Sequence, residues 1–229
     1  MLTRFAVVVP AHDERELLPE CLTALRVAVA GIAVATEIIV VADACTDDTA
    51  RLAAAAGAEV VTIAAGSVGV ARAAGMAHAL RHGSGGLWLA TTDADSRVPP
   101  EWLGWHARHA ARGTDVLVGT VEVHDWSPWP AAVRHAYERR YRAALTATGH
   151  RHVHGASLGC AAPAYEDLGG FAAVDHDEDR DLVTRATRAG LRVVYDTASP
   201  VLTSARRTAR APAGFATHLA TVAGEAPAS

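Results

Sequence analysis

Apolar runs of five or six residues alternate with alanine- and leucine-rich stretches of helical length through the first half of the chain. Residues 5–9 are apolar without a break up to Pro10, and residues 37–42, 58–63, 87–91 and 116–120 repeat the theme. Strands this apolar belong in a sheet covered on both faces. Between them, residues 14–30, 46–56, 70–81 and 100–111 space their apolar positions as amphipathic helices do. Thr46 with Asp47 and Asp48 reads as a helix start, Gly57 as a helix end, and Pro99-Pro100 as another start. This alternation predicts βαβ units, hence an α/β fold with one Rossmann-like, mostly parallel sheet flanked by helices.

The second half is less regular. Residues 126–130 form a tryptophan and proline turn, and residues 131–148 read as one long helix with arginines on one side and Tyr137, Tyr141 and Leu145 on another. Residues 155–161 are expected as a strand, 181–189 as a helix and 191–195 as a last strand, with a weakly patterned stretch from Pro212 onward. No internal repeat or low-complexity linker divides the 229 residues, so a single domain is expected.

Composition narrows the chemistry. Twenty-one basic against 25 acidic residues give a net charge of −4, without the global cationic field that a nucleic-acid partner needs. Every basic residue is an arginine and there is no lysine, asparagine or glutamine, which excludes Schiff-base and P-loop lysine chemistry. Cys21, Cys45 and Cys160 are odd in number and lack C-x-x-C spacing, so neither a disulfide framework nor a cysteine zinc site is expected. No uncharged run approaches the ~18 residues of a membrane span, and the N-terminus does not read as a signal peptide. These features together predict a cytoplasmic protein with no integral membrane segment.

In open α/β sheets, ligands bind outside the carboxyl ends of the strands. The polar residues collect there: Pro10-Ala11-His12-Asp13-Glu14 after the first strand, Asp43-Ala44-Cys45-Thr46-Asp47 after the second, and Thr92-Asp93-Ala94-Asp95-Ser96 after the fourth. A single carboxylate in such a place is commonly the cap of the next helix. Three acidic strand ends on one rim repel one another unless a cation or a hydrogen-bonding ligand lies between them. Asp93 and Asp95, two apart at a strand end, offer hard oxygen donors of the kind that suit Mg²⁺ or Mn²⁺ holding a diphosphate.

The ordered set VVVPAHDE, VVADACTDDTA, GSVGVARAAG and LATTDADS, followed by Gly169-Gly170-Phe171 and then Glu178-Asp179, resembles the family-two inverting glycosyltransferases of GT-A fold over roughly residues 4–195. The resemblance implies a metal-dependent enzyme that moves a hexosyl group from a nucleotide-diphosphate sugar to a hydroxyl of a small-molecule or lipid-linked acceptor. Residues 1–96 would be the nucleotide-sugar-binding half, 97–210 the acceptor-binding and catalytic half, and 211–229 a tail. Pro10, Ala11, His12 and Glu14 would lie at the base and ribose, with Asp13 where the family often has asparagine. Asp43 would accept a hydrogen bond from the base, and Gly69 and Arg72 would approach it from the other side. Arginine near a helix start opposes the macrodipole, so a purely structural motive for Arg72 is weak. Asp93 and Ala94 would sit by the ribose, and Asp95 would ligate Mg²⁺ or Mn²⁺. Asp179 would be the general base of the inverting transfer, with Glu178 its nearest competitor. Five carboxylates fall in the seven positions 175–181, which favours raised pKa values there.

Arg206, Arg207 and Arg210 would fold over the diphosphate, a solvated basic loop being the equal alternative, and His218 is a candidate metal ligand or a surface histidine. Ala162 and Pro163 stand where the family commonly carries an arginine before its Gly-Gly-Phe turn. His150, His152 and His154 would share one face of a strand, which invites a zinc site, although no nearby carboxylate or cysteine completes the set. Two other functions remain open: a catalytically inactive nucleotide-sugar-binding partner protein, and a sugar nucleotidyltransferase. The second normally shows a glycine-rich, basic signature after its first strand, where this chain has PAHDERE, and the G-x-G-x-x-G of a dehydrogenase is missing there too.

Overall fold

A computed structural model describes residues 2–174, 176–208 and 214–225. The first half runs β1 (Arg4–Ala11), α1 (Leu18–Ala30), β2 (Ala35–Asp43), α2 (Thr49–Ala55), β3 (Glu59–Ile63), α3 (Val68–Leu80) and β4 (Leu87–Thr91). Then come β5 (Ser96–Arg97), α4 (Trp102–Ala111), β6 (Val116–Val118), β7 (Val121–Val123), α5 (Ala131–Ala143), β8 (Leu145–Thr146) and β9 (Gly149–His150). A 3₁₀ turn at Gly155–Ser157 leads into β10 (Leu158–Ala161), α6 (Ala162–Asp167), α7 (Glu178–Arg188), β11 (Val193–Tyr195), β12 (Val201–Thr203) and α8 (Phe215–Glu225).

Seven strands form the main sheet in the order β11-β6-β10-β4-β1-β2-β3, parallel throughout except where β10 pairs antiparallel with β4 and β6. The period-two alternation of β1 decides what covers each face. Phe5, Val7 and Val9 pack with Leu18, Leu22 and Leu25 of α1 and Trp102 and Leu103 of α4. Ala6 and Val8 face the other way, onto Ala71 and Met76 of α3 and Leu182 of α7. Close packing of α3 depends on Gly75, where an added Cβ would lie 2.9 Å from Val41 Cγ2 and closer still to Val8. The chain steps from the β3 edge across to β4 on the far side of β1, so the sheet has its topological switch point between β1 and β4. A three-stranded sheet, β5-β12-β7, brings residues 96–97, 201–203 and 121–123 together. A separate apolar cluster joins Val133, Ala136 and Tyr137 of α5 to Leu219 and Val222 of α8.

Several expected boundaries shift for identifiable reasons. α1 begins at Leu18 and not at Glu14, because residues 14–17 turn out of β1 first and Pro19 occupies the first helical turn. α2 begins at Thr49, since the Thr46 amide and hydroxyl are spent on Asp13. α5 ends at Ala143, and residues 145–150 return as a hairpin where a continued helix was expected. Residues 155–157 of the expected strand 155–161 form a 3₁₀ turn, so pairing starts only at Leu158. α7 starts three residues early, at Glu178, behind an Asp177 in the left-handed region at φ 60°. The weakly patterned tail contains α8, whose buried Ala216, Leu219 and Val222 recur every three residues against α5. No described helix is long and apolar enough to cross a membrane, and Cys21, Cys45 and Cys160 are free thiols.

Candidate active site

The carboxyl ends of β1, β2 and β4 bring the three acidic segments to one rim, as the strand-end argument requires. Asp43 is buried, and its Oδ1 accepts from the amides of Ala65 (2.7 Å) and Gly66 (2.9 Å) while Oδ2 accepts from Ser67 (2.8 Å). With about four lone-pair positions on a carboxylate, one is left for a ligand. Asp43 therefore shapes the loop before α3. His12 Nδ1 donates to the Asp43 carbonyl at 2.7 Å. Asp13 sits at φ 51°, a region that Asp and Asn reach most readily, and its Oδ1 accepts from the amides of Thr46 (2.7 Å) and Asp47 (3.1 Å). The Thr46 amide bond above all holds its carboxyl below the usual carboxylate range. Pro10 and Ala11 contribute the buried end of β1, and the side chain of Ala94 lies in the core between Asp93 and Asp95.

Arg72 is the pivot of the site and is buried, which removes the surface reading of this residue. Its guanidinium joins Glu178 on the first turn of α7 and reaches Asp93 Oδ1 at 2.5 Å. Gly69, one turn earlier on α3, leaves room for Glu178: an added Cβ there would lie 3.2 Å from the Glu178 Cβ and Cγ. Gly155 lies against the guanidinium so closely that any Cβ would overlap it. Half-buried Asp179 follows Glu178; burial pushes its carboxyl above the usual range, opposed by the Arg72 charge and by hydrogen bonds from the Arg180 and Gly155 amides. The two carboxylates thus differ in environment. Glu178 is tied into a buried ion pair, and Asp179 is the less encumbered of the two.

A second cluster lies beside the first. Arg206 forms a bidentate pair with Glu14 (2.8 and 2.5 Å) and reaches Asp95 Oδ2 at 3.1 Å. Among the described residues, Asp95 otherwise approaches only the Ser96 hydroxyl, at 3.3 Å. Burial raises its carboxyl to about 7, against the lowering effect of Arg206. Glu14 and Asp95 are two hard oxygen donors beyond the ends of β1 and β4 that gather around a positive charge; among the described residues neither joins a three-ligand cluster, so they fit a divalent cation that takes its remaining ligands from phosphate and water. Arg207 turns away and stacks 4.9 Å over the Trp129 ring, while Arg210 lies outside the described residues.

The histidine candidates do other work. His150, His152 and His154 do stack, with centroids 5.9 and 5.6 Å apart, and Tyr141 stacks on His152 at 3.7 Å. However, Nε2 of His150 donates to the Val118 carbonyl (3.0 Å) and that of His152 to the Tyr141 carbonyl (2.9 Å), and among the described residues no three-ligand cluster includes them. The zinc reading is therefore corrected to a packing column. His218 packs beside Tyr137 and Phe215 and likewise joins no such cluster. Gly155 and the Ser96–Thr203 hydroxyl pair (3.0 Å) also border the site, which the sequence reading does not foresee. Their only sequence signal was a glycine after the histidine run and a serine next to Asp95.

The sequence model of glycosyl transferase family 2 matches residues 6–168, from β1 through α6. The chain belongs to glycosyl transferase family 2. Among curated relatives, an undecaprenyl-phosphate 4-deoxy-4-formamido-L-arabinose transferase of Klebsiella pneumoniae (strain 342) is 35% identical over 122 residues, which cover 52% of this chain and 36% of that protein. The chain thus spans about a third of the length of the curated relatives it matches. Among solved structures, TarS 1-349 of S. aureus with UDP-GlcNAc superposes with a TM-score of 0.66 at 16% identity, covering 99% of this chain and 68% of that TarS chain. The mannosyltransferase PcManGT of Pyrobaculum calidifontis, with GDP-Man and Mn²⁺, gives 0.66 at 20% identity, covering 92% and 59%. The family-2 fold expected here, a GT-A sheet between helices, is therefore the observed one.

Proposed function

We propose that this family-2 protein transfers a glycosyl group from a nucleotide-diphosphate sugar to an acceptor hydroxyl with inversion at the anomeric carbon. The observation that carries the reading is the separation of Glu178 from Asp179: Arg72 fixes the first, and burial raises the second toward the basicity that a general base needs. Asp179 takes the acceptor proton as the acceptor oxygen attacks from the face opposite the leaving diphosphate. Residues 1–96 bind the donor. Within them Pro10, Ala11, His12 and Asp43 face the base, and Asp93, held by Arg72, faces the ribose. Residues 97–210 supply the base and the acceptor side.

Asp95, with Glu14 across the cluster, would hold Mg²⁺ or Mn²⁺. Such an ion, when bound, neutralises charge developing on the departing nucleotide diphosphate. Support comes from the donor set gathered around Arg206 and from Mn²⁺ in the PcManGT complex. On the acceptor side, a groove of about 700 Å³ is lined by Glu122, Trp126, Arg134, Tyr137 and Tyr141 among others. Tyr141 connects it to the site: its hydroxyl lies 3.3 Å from His154 Nε2, next to Gly155.

The test is thermal unfolding with a panel of nucleoside diphosphates, each with and without Mn²⁺, followed by transfer assays of Asp179→Asn. Binding to the native state raises the melting temperature by mass action. The reading requires one diphosphate to stabilise the protein in a metal- and Asp95-dependent way, and Asp179→Asn to bind that nucleotide yet lose turnover. Stabilisation by none of them would turn the reading to a degenerate partner protein.

A further inference from the structure

Glu14 and Asp95 close the carboxyl ends of β1 and β4, on either side of the switch point, with side chains only 6% and 15% exposed. Both Glu14 carboxylate oxygens are taken by one guanidinium, and Asp95 Oδ2 meets the same Arg206. That guanidinium comes from 192 residues away in the chain, just beyond β12. Its backbone is pinned on both sides. The Thr203 hydroxyl pairs with Ser96, the Ala205 carbonyl accepts from Trp129 Nε1 at 2.6 Å, and Arg207 stacks on the same tryptophan. Among the described residues, the guanidinium of the Arg206 side chain, 24% exposed, is held by Glu14 and Asp95 alone, so its departure would leave these backbone contacts in place.

We propose that Arg206 is the resident cation of the donor site and must leave Glu14 and Asp95 for a divalent cation to enter, so that this one residue sets how tightly the protein holds its metal. The inference rests on the reading of Asp95 as a metal ligand. Charge explains why exchange is feasible. With both carboxylates ionised, one guanidinium leaves the pair at −1, whereas a divalent ion neutralises it. A metal ion and a guanidinium that share Asp95 Oδ2 cannot both occupy that oxygen's inner face. The displaced Arg206 then meets the anionic diphosphate that arrives with the cation, so the opened position favours donor-bound over donor-free protein.

Calorimetric titration of the whole chain with MnCl₂, without nucleotide, compares wild type with Arg206→Gln and with Arg51→Gln, a surface arginine paired to Asp48. Loss of the competing cation is expected to tighten Mn²⁺ binding about tenfold or more, a change of about 1.4 kcal/mol, with Arg51→Gln unchanged. Equal or weaker binding by Arg206→Gln overturns the proposal. Should that variant fail to fold, phenylglyoxal labelling of the wild type serves instead. Arg206 is expected to react several-fold faster in saturating Mn²⁺, and an unchanged or slower rate overturns displacement. The controls keep the two readings apart. Wild type that binds Mn²⁺ through Asp95, without a gain in Arg206→Gln, defeats only the displacement, whereas wild type that binds neither Mn²⁺ nor any nucleoside diphosphate defeats the donor site as well.

Discussion

Replacing Arg72 by methionine is the perturbation whose size the structure constrains best. The arginine side chain is 5% exposed and Glu178 4%, so methionine leaves a carboxylate buried with its counter-charge gone. Removing one partner of a buried pair costs about 3–5 kcal/mol, because the desolvated charge that remains is uncompensated. The bond to Asp93 adds little to this, since that carboxylate is 36% exposed and water screens it. For a domain of this length, about 2–4 °C of melting temperature per kcal/mol places the loss at about 6–20 °C. The double variant Arg72→Met with Glu178→Leu should recover much of it, because an apolar pair of similar volume is often no worse than the ion pair it replaces. Thermal unfolding followed by circular dichroism at neutral pH measures both variants. A single variant within about 2 °C of wild type, or a double variant no better than the single, would refute the claim that this pair is a buried, energetically dominant contact. The site predicts a second readout: without the Arg72 charge the Asp179 carboxyl should rise further, moving any acid limb of activity to higher pH.

Other consequences can be measured separately. Because burial raises the Asp179 carboxyl, transfer should fall on the acid side through a pKa above the ordinary carboxylate value of 3.8, and a limb at or below 3.8 in a pH–rate profile would remove Asp179 as the base. Gly155→Ala should cost about 1–3 kcal/mol by overpacking, since its Cβ would overlap the Arg72 guanidinium, and should weaken nucleotide binding in a thermal-shift assay; a neutral substitution would show that Arg72 is free to move. His106 is fully buried among Trp88, Trp102 and Trp105, its Nδ1 accepts from Trp88 Nε1 at 3.1 Å, and burial lowers its pKa to about 3. The folded value lies below the unfolded one, so this contribution to stability is complete above pH 6.5 and is lost as pH falls toward 3. Urea unfolding should show about 2 kcal/mol lost through this residue by pH 5, and NMR should find the ring neutral there.

What could be read from the chain, and what could not, follows from how locally each feature is determined. β1, β2 and β4 are apolar on both faces, and that composition alone marks them as the buried middle of a parallel sheet. β5, β7 and β12 are two or three residues long and exist only because they meet one another, so no periodicity could announce them. The antiparallel insertion of β10 between β4 and β6 is likewise a tertiary choice. α8 was legible in principle, through apolar residues spaced three apart, but its face is covered by α5 and not by the sheet, and the strand-and-helix alternation gives no reason to look there.

The site divides the same way. That acids gather at strand ends follows from parallel topology, and Asp13, Glu14, Asp43, Asp93 and Asp95 do share the rim. Which cation answers which acid is a long-range matter: Arg72 and Glu178 are 106 residues apart, and Arg206 and Glu14 are 192 apart. The macrodipole gives Arg72 only a weak structural motive; its burial between Glu178 and Asp93, partners remote in sequence, supplies a strong one. The start of α7 carries the decisive consequence. A helix beginning at Asp181 would leave Glu178 and Asp179 on an open loop with no fixed relation to each other. One beginning at Glu178 sets them on successive positions of the same turn, about 100° apart, so that one carboxylate can be buried against Arg72 while the next is directed elsewhere. The different surroundings of the two acids are thus a property of helix register, and among the five carboxylates in positions 175–181 it is this register that sets Glu178 against Arg72 and leaves Asp179 apart from it.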